Sequence, residues 1–103
     1  MTNTARQRLP NRRGHELLSF EHSGVRYTAG IGRFDDGRLA EIFLNAPKCG
    51  TDLDVGVRDA AIVASLALQA GISAAVIRHA LTSNRDGSAC GPLGRILDLL
   101  VEG

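Results

Sequence analysis

The sequence predicts an α+β fold, a three-stranded antiparallel meander followed by three helices packed on one face of the sheet, in the order β-β-β-α-α-α. Three observations carry this expectation. From Glu16 to Ala46 apolar residues recur with a period of two, and turn-forming residues break the run at Ser23-Gly24 and Asp35-Asp36-Gly37. From Val55 onward the period becomes helical, with breaks at Gly71 and at Ser83 to Gly91. The two regimes do not interleave, so strands and helices segregate along the chain.

In ELLSFEH, Leu18, Phe20 and His22 share one side, and Ser23-Gly24 turns the chain into VRYTAGIGRF, where Val25, Tyr27, Ala29 and Ile31 alternate with polar or small residues. This is a β-hairpin, with His22 expected as a solvent-facing edge residue. Gly30 and Gly32 weaken the second strand and mark a bulge, a sharp twist or a place where another backbone or a ligand comes close, of which a bulge is the favoured reading. Asp35-Asp36-Gly37 supplies residues that tolerate positive φ, and a third strand follows at Leu39 to Ala46.

The first helix, Val55 to Ala70, reads VGVRDAAIVASLALQA, and its polar residues are Arg58, Asp59, Ser65 and Gln69. Arg58, Ser65 and Gln69 share one narrow stripe, so the rest of the circumference is apolar and needs covering on several sides. Such a helix is expected in the core. Thr51 with Asp54 makes a Ser/Thr-x-x-acid cap ahead of it, and Asp52 is an alternative cap. Gly71 suits the position just past its end. Ser73 then caps a second helix, AAVIRHALT, with Val76, Ile77, Ala80 and Leu81 as the inward stripe and His79 one position off it. A polar loop, Ser83 to Gly91, leads to Pro92 at the first position of a third helix, whose apolar face is Leu93, Ile96, Leu97, Leu100 and Val101.

A chain of 103 residues fits one domain with one core. Twelve basic and eleven acidic residues leave a formal charge of +1, so no global field points to a nucleic acid or a membrane. Residues 1–14 are read as a basic arm, with Arg6, Arg8, Arg12 and Arg13 and no acidic residue up to Arg13, and 15–103 as the folded domain. Solvation is the plainer role for such an arm, and nucleic acid is not an expected partner. No signal peptide and no membrane-spanning segment is evident, so a cytoplasmic location is expected.

The stretch Lys48, Cys49, Gly50 and Thr51 before the first helix is the best candidate for ligand binding, with Arg33 and Arg38 as further cations. A lysine, a glycine and a helix N-terminus can together hold a phosphate or a carboxylate. Asp52 and Asp54 oppose this, because they already place negative charge there, and capping is the favoured role. Cys49 and Cys90 each precede a helix, where the dipole lowers a thiol pKa. A disulfide, a metal pair with a histidine, or two unrelated small residues all fit, and the last is favoured. No metal site and no catalytic residue is assigned, because no nucleophile elbow, histidine pair or phosphate loop is present.

The stretch RLPNRR (Arg8 to Arg13), then GRFDDGRLAEIFLNAPKCGTDLDV, RDAAIVASLALQAGI and GPLG, resembles the TSCPD-type domain over about residues 8 to 101. That domain is found near the C-terminus of adenosylcobalamin-dependent ribonucleotide reductases and as short separate proteins. The resemblance implies a link to deoxyribonucleotide synthesis, with cobalamin and nucleotide as ligands of the full enzyme. No cofactor is expected in this chain, and no catalytic residue of the reductase maps onto it: the large barrel has no room here, and there is no CxxC pair. The expectation is a non-catalytic accessory or regulatory module that binds a protein partner or itself as a homodimer, with Ala60, Ala61, Ala64 and Ala67 permitting close helix approach. The alternatives are a nucleotide-binding protein and a subunit of a split reductase.

Overall fold

The structure, a computed structural model, describes residues 16–102. The basic arm assigned to 1–14 lies outside the described residues. Three strands, β1 (Glu16–His22), β2 (Val25–Arg33) and β3 (Leu39–Asn45), precede three helices, α1 (Asp52–Gln69), α2 (Ala74–Ala80) and α3 (Pro92–Glu102). The sheet is an antiparallel meander in the order β1-β2-β3. The expected α+β architecture is therefore present.

Turn chemistry sets the sheet. Ser23 and Gly24 both have positive φ, 52° and 80°, which is the type I′ geometry that follows the twist of a two-residue hairpin. The second turn, Phe34 to Arg38, exchanges bonds between the Phe34 N–H and the Arg38 carbonyl and between the Gly37 N–H and the Phe34 carbonyl. Asp36 accepts from the Arg38 N–H, and this bond with the Arg38 guanidinium holds its carboxyl below the usual range. The same device recurs at Asn84 to Ser88. There Gly87 donates to the Asn84 carbonyl, and Asp86 accepts from the Ser88 hydroxyl and N–H. The expected bulge lies at Gly32/Arg33, where the register steps from Glu41 to Leu39 and leaves Ala40 as the extra residue on β3. Gly30 is not bulged; it pairs in register between Leu17 and Phe43.

Phe20, Tyr27, Ala29, Ile31, Ile42 and Leu44 line the sheet face that meets Val57, Ala61, Ala64 and Leu68 of α1 and Leu93, Ile96 and Leu97 of α3. Thr51 caps α1 by accepting from the Asp54 N–H, and the helix starts at Asp52, three residues before Val55. It ends in a Schellman motif: Gly71, at φ 101°, donates to the Leu68 carbonyl and Ile72 to the Ala67 carbonyl.

Several inward assignments are corrected. In α2, capped by Ser73 as expected, Ile77 and Leu81 are half-buried, but Val76 is 59% exposed and Ala80 is exposed. The helix ends at Ala80, packs on α3 and leaves its outer side to solvent. In α3, Val101 is exposed at the end of the helix. His22 is not a free edge residue: its Nε2 lies 2.8 Å from the Cys90 carbonyl and ties β1 to the loop before α3.

The largest correction concerns α1. Ser65 and Gln69, on its supposed polar stripe, are buried, while Leu53, Val55, Ile62, Val63 and Leu66 are 43–65% exposed. The polar side faces β3. Ser65 Oγ accepts from the Ile42 N–H at 2.8 Å and donates to the Ile42 carbonyl at 3.1 Å. Gln69 Nε2 donates to the Ala40 carbonyl at 3.1 Å, and Asp54 accepts from the Ala46 N–H at 2.9 Å. Alternate residues of β3 direct their backbone groups to its free edge, and these must be satisfied when buried. α1 runs opposite to β3 and supplies the partners. The spacings match, since Asp54 to Gln69 spans about 22 Å of helix and Ala46 to Ala40 about 20 Å of strand.

Candidate functional site

The loop from Pro47 to Thr51 is built around a buried carboxylate. Asp54, fully buried, accepts from the Gly50 N–H at 3.0 Å as well as from the Ala46 N–H. Thr51 Oγ1 donates to the Lys48 carbonyl at 3.0 Å. Gly50 adopts φ 83°, in the left-handed region that favours glycine. The Asp54 carboxyl is held below its usual range, first by the Gly50 N–H and then by the Ala46 N–H, against the effect of burial, with smaller help from Asn45 and Arg58. Arg58 Nη1 stands 3.8 Å from Asp54. An anion at this helix start would need N–H donors, and the chain's own carboxylate takes the one from Gly50.

The six candidate ligand residues divide between two places. Lys48, Cys49, Gly50 and Thr51 lie just past the end of β3, with Lys48, Cys49 and Gly50 exposed. Arg33 and Arg38 flank the turn at its start, about 20 Å away by strand geometry. Arg33 donates to Glu16 at 3.2 Å and to the Gly37 carbonyl at 3.0 Å. Arg38 pairs with Asp36 at 2.7 Å and lies over the Phe34 ring at 4.8 Å. The two sets do not converge.

Cys49 and Cys90 are both free and exposed. Cys90 Sγ lies 3.0 Å from Asn84 Oδ1 and belongs to the bonding of its loop. No cluster of His, Cys, Asp and Glu suited to a metal ion occurs among the described residues.

A feature that sequence reasoning did not single out is Arg78. Its Nε donates to Asp98 at 2.8 Å, Nη1 to Ser83 Oγ at 3.0 Å and Nη2 to the Gly87 carbonyl at 2.9 Å. One guanidinium thus joins α2, α3 and the loop between them, beside a groove of about 740 Å³ that Ala74, Leu81, Leu97 and His79 also line. Each of its three nitrogens donates inside the protein. The sequence signal was an arginine beside the expected inward stripe of α2, between Ile77 and Leu81.

A further surface feature is the outward side of α1. Val55, Ile62, Val63 and Leu66 form an exposed apolar face, with Asp59 at its centre. Of the alanines expected to permit helix approach, Ala61 and Ala64 are buried against the sheet, Ala60 is exposed and Ala67 is half-buried. Among the described residues no helix is long and apolar enough to cross a membrane.

No family model and no solved structure matches the chain. Among curated proteins it is 36% identical over 67 residues to the vitamin B12-dependent ribonucleotide reductase of Bradyrhizobium diazoefficiens. The overlap covers 65% of this chain and 5% of the reductase. This similarity relates the chain to a small part of a ribonucleotide reductase.

Proposed function

We propose that this chain is a non-catalytic accessory module of deoxyribonucleotide synthesis that docks on a vitamin B12-dependent ribonucleotide reductase through the outward face of α1. The observation that carries the reading is the inverted orientation of that helix. Asp54, Ser65 and Gln69 are spent on β3 and its end, and Val55, Ile62, Val63 and Leu66 are left on the surface. A cluster of exposed apolar side chains around one carboxylate, Asp59, on a firmly held helix marks a protein contact. The partner is chosen by the sequence similarity to such a reductase. The nucleotide-binding alternative is less well supported, because Asp54 fills the loop at Lys48 to Thr51 and Arg33 and Arg38 stand at the other end of β3.

Titration of the purified chain against a vitamin B12-dependent reductase, read by surface plasmon resonance, tests the proposal. Val63→Arg places a charge in the apolar face and weakens binding at least tenfold, whereas Lys48→Ala leaves it unchanged. Calorimetry with ribonucleotides and deoxyribonucleotides is the second arm. Binding heat abolished by Lys48→Ala, without reductase binding, would replace this reading by the nucleotide one. Reductase activity that appears only when both proteins are mixed would make the chain a subunit of a split enzyme.

A further inference from the structure

The two edges of the sheet are treated differently. The β3 edge is closed by Asp54, Ser65 and Gln69 of α1. At the β1 edge the type I′ turn makes His22 and Val25 the closing hydrogen-bonded pair, so His22, Phe20, Leu18 and Glu16 direct their backbone groups to β2. Leu17, Ser19 and Glu21 therefore direct theirs away from the sheet. No described residue hydrogen-bonds to those outward groups. Leu17 is 84% exposed, and Ser19 and Glu21 are exposed. β1 has few of the usual protections of an edge: it is regular in register over its whole length, with no lysine, proline or bulge, and its charges are Glu16 and Glu21 near its two ends.

We infer that β1 pairs antiparallel with β1 of a second copy, about a two-fold axis at Ser19, to make one continuous six-stranded sheet. In this register Leu17 faces Glu21 of the second copy, Ser19 faces Ser19, and Glu21 faces Leu17. Each facing pair consists of residues with outward backbone groups and exchanges two hydrogen bonds. Side chains stay on matching sides. Leu18 comes beside Phe20 of the second copy on the core face, and Glu16 beside His22. On the open face Ser19 is already in line with Thr28 and Asn45, so the axis joins two polar rows into one. No like charges stand opposite each other, whereas a register centred on Glu21 would oppose two carboxylates. A formal charge of +1 per copy adds little long-range repulsion. The pairing uses the edge away from α1 and leaves the outward face of that helix free, so it is independent of the reductase proposal.

Size-exclusion chromatography with light scattering on the full chain, over a concentration series, tests this inference. The wild type elutes with about twice the 10.9 kDa chain mass. Ser19→Lys sets two ammonium groups against each other on the axis and shifts the dimer toward monomer at least tenfold. Ser19→Glu does the same with two carboxylates. Leu17→Lys meets Glu21 of the second copy and remains dimeric. All three side chains lie on the open sheet face, so circular dichroism of each variant retains the wild-type fold. A wild-type monomer at every concentration overturns the inference. So does equal loss of dimer in Ser19→Lys and Leu17→Lys, or a dimer that Val63→Arg dissociates and Ser19→Lys does not.

Discussion

Ser65 on α1 and Ile42 on β3 exchange two hydrogen bonds: one hydroxyl serves both the N–H and the carbonyl of the same residue, with Ile42 itself fully buried. A serine in mid-helix has here become the partner of a sheet edge. Removing it leaves two buried backbone groups unsatisfied. Ser65→Ala is therefore expected to cost about 1–3 kcal/mol, seen as a fall in Tm of several degrees. Ser65→Thr, which keeps the hydroxyl, should lose less. Equal losses would show that packing volume, not the hydrogen bonds, sets the effect.

Asp54 makes the fold acid-sensitive. Its folded pKa lies below the ordinary 3.8, so its contribution to stability is present above the unfolded value and is lost as pH falls through the folded one. Denaturant midpoints should decline as pH drops from about 5 into the region below 3.8. Asp36 and Asp86 are shifted the same way and contribute to the same decline. Asp54→Asn should lower the midpoint at pH 7 and flatten this slope. An unchanged slope would assign the acid sensitivity to the other two.

Gly94 sits where a Cβ would lie 2.8 Å from the Ala89 Cβ, closer than real side chains approach. Gly94→Ala must displace the loop before α3, at a cost of about 1–3 kcal/mol. Gly30 gives the opposite expectation. A Cβ there meets Phe43 and Leu17 at 3.5–3.7 Å, which is ordinary contact. Gly30→Ala should be neutral or stabilising, by up to about 1 kcal/mol. Thermal melts of the two variants side by side check both signs.

Arg78 organises the loop between α2 and α3. Arg78→Lys replaces a three-nitrogen fork by a single ammonium group and cannot keep Asp98, Ser83 and Gly87 together. Amide hydrogen exchange at Asn84, Gly87 and Cys90 should accelerate, while exchange in β2 stays slow. Uniform acceleration across the chain would mean that the residue supports the whole fold instead of this loop.

Much of the molecule was legible in the sequence because its signals are local. Period two against period 3.6 separated strands from helices, and Ser23-Gly24, Asp35-Asp36-Gly37, Thr51, Gly71 and Ser73 marked turns and caps through conformations that depend on neighbouring residues. The candidate loop was legible in part. Thr51 and Asp54 read as a cap, but Asp54 as acceptor for both Ala46 and Gly50 was not, because that depends on how the loop folds back on the helix.

The amino-acid sequence by itself determined the order of elements, the turn geometry and the presence of one long, mostly apolar helix. Tertiary structure decided which way that helix faces. An almost wholly apolar circumference offers no strong preference, and hydrophobic burial is non-directional. The hydrogen-bonding groups on the edge of β3 do have direction, and they drew Asp54, Ser65 and Gln69 inward, which left Val55, Ile62, Val63 and Leu66 outside.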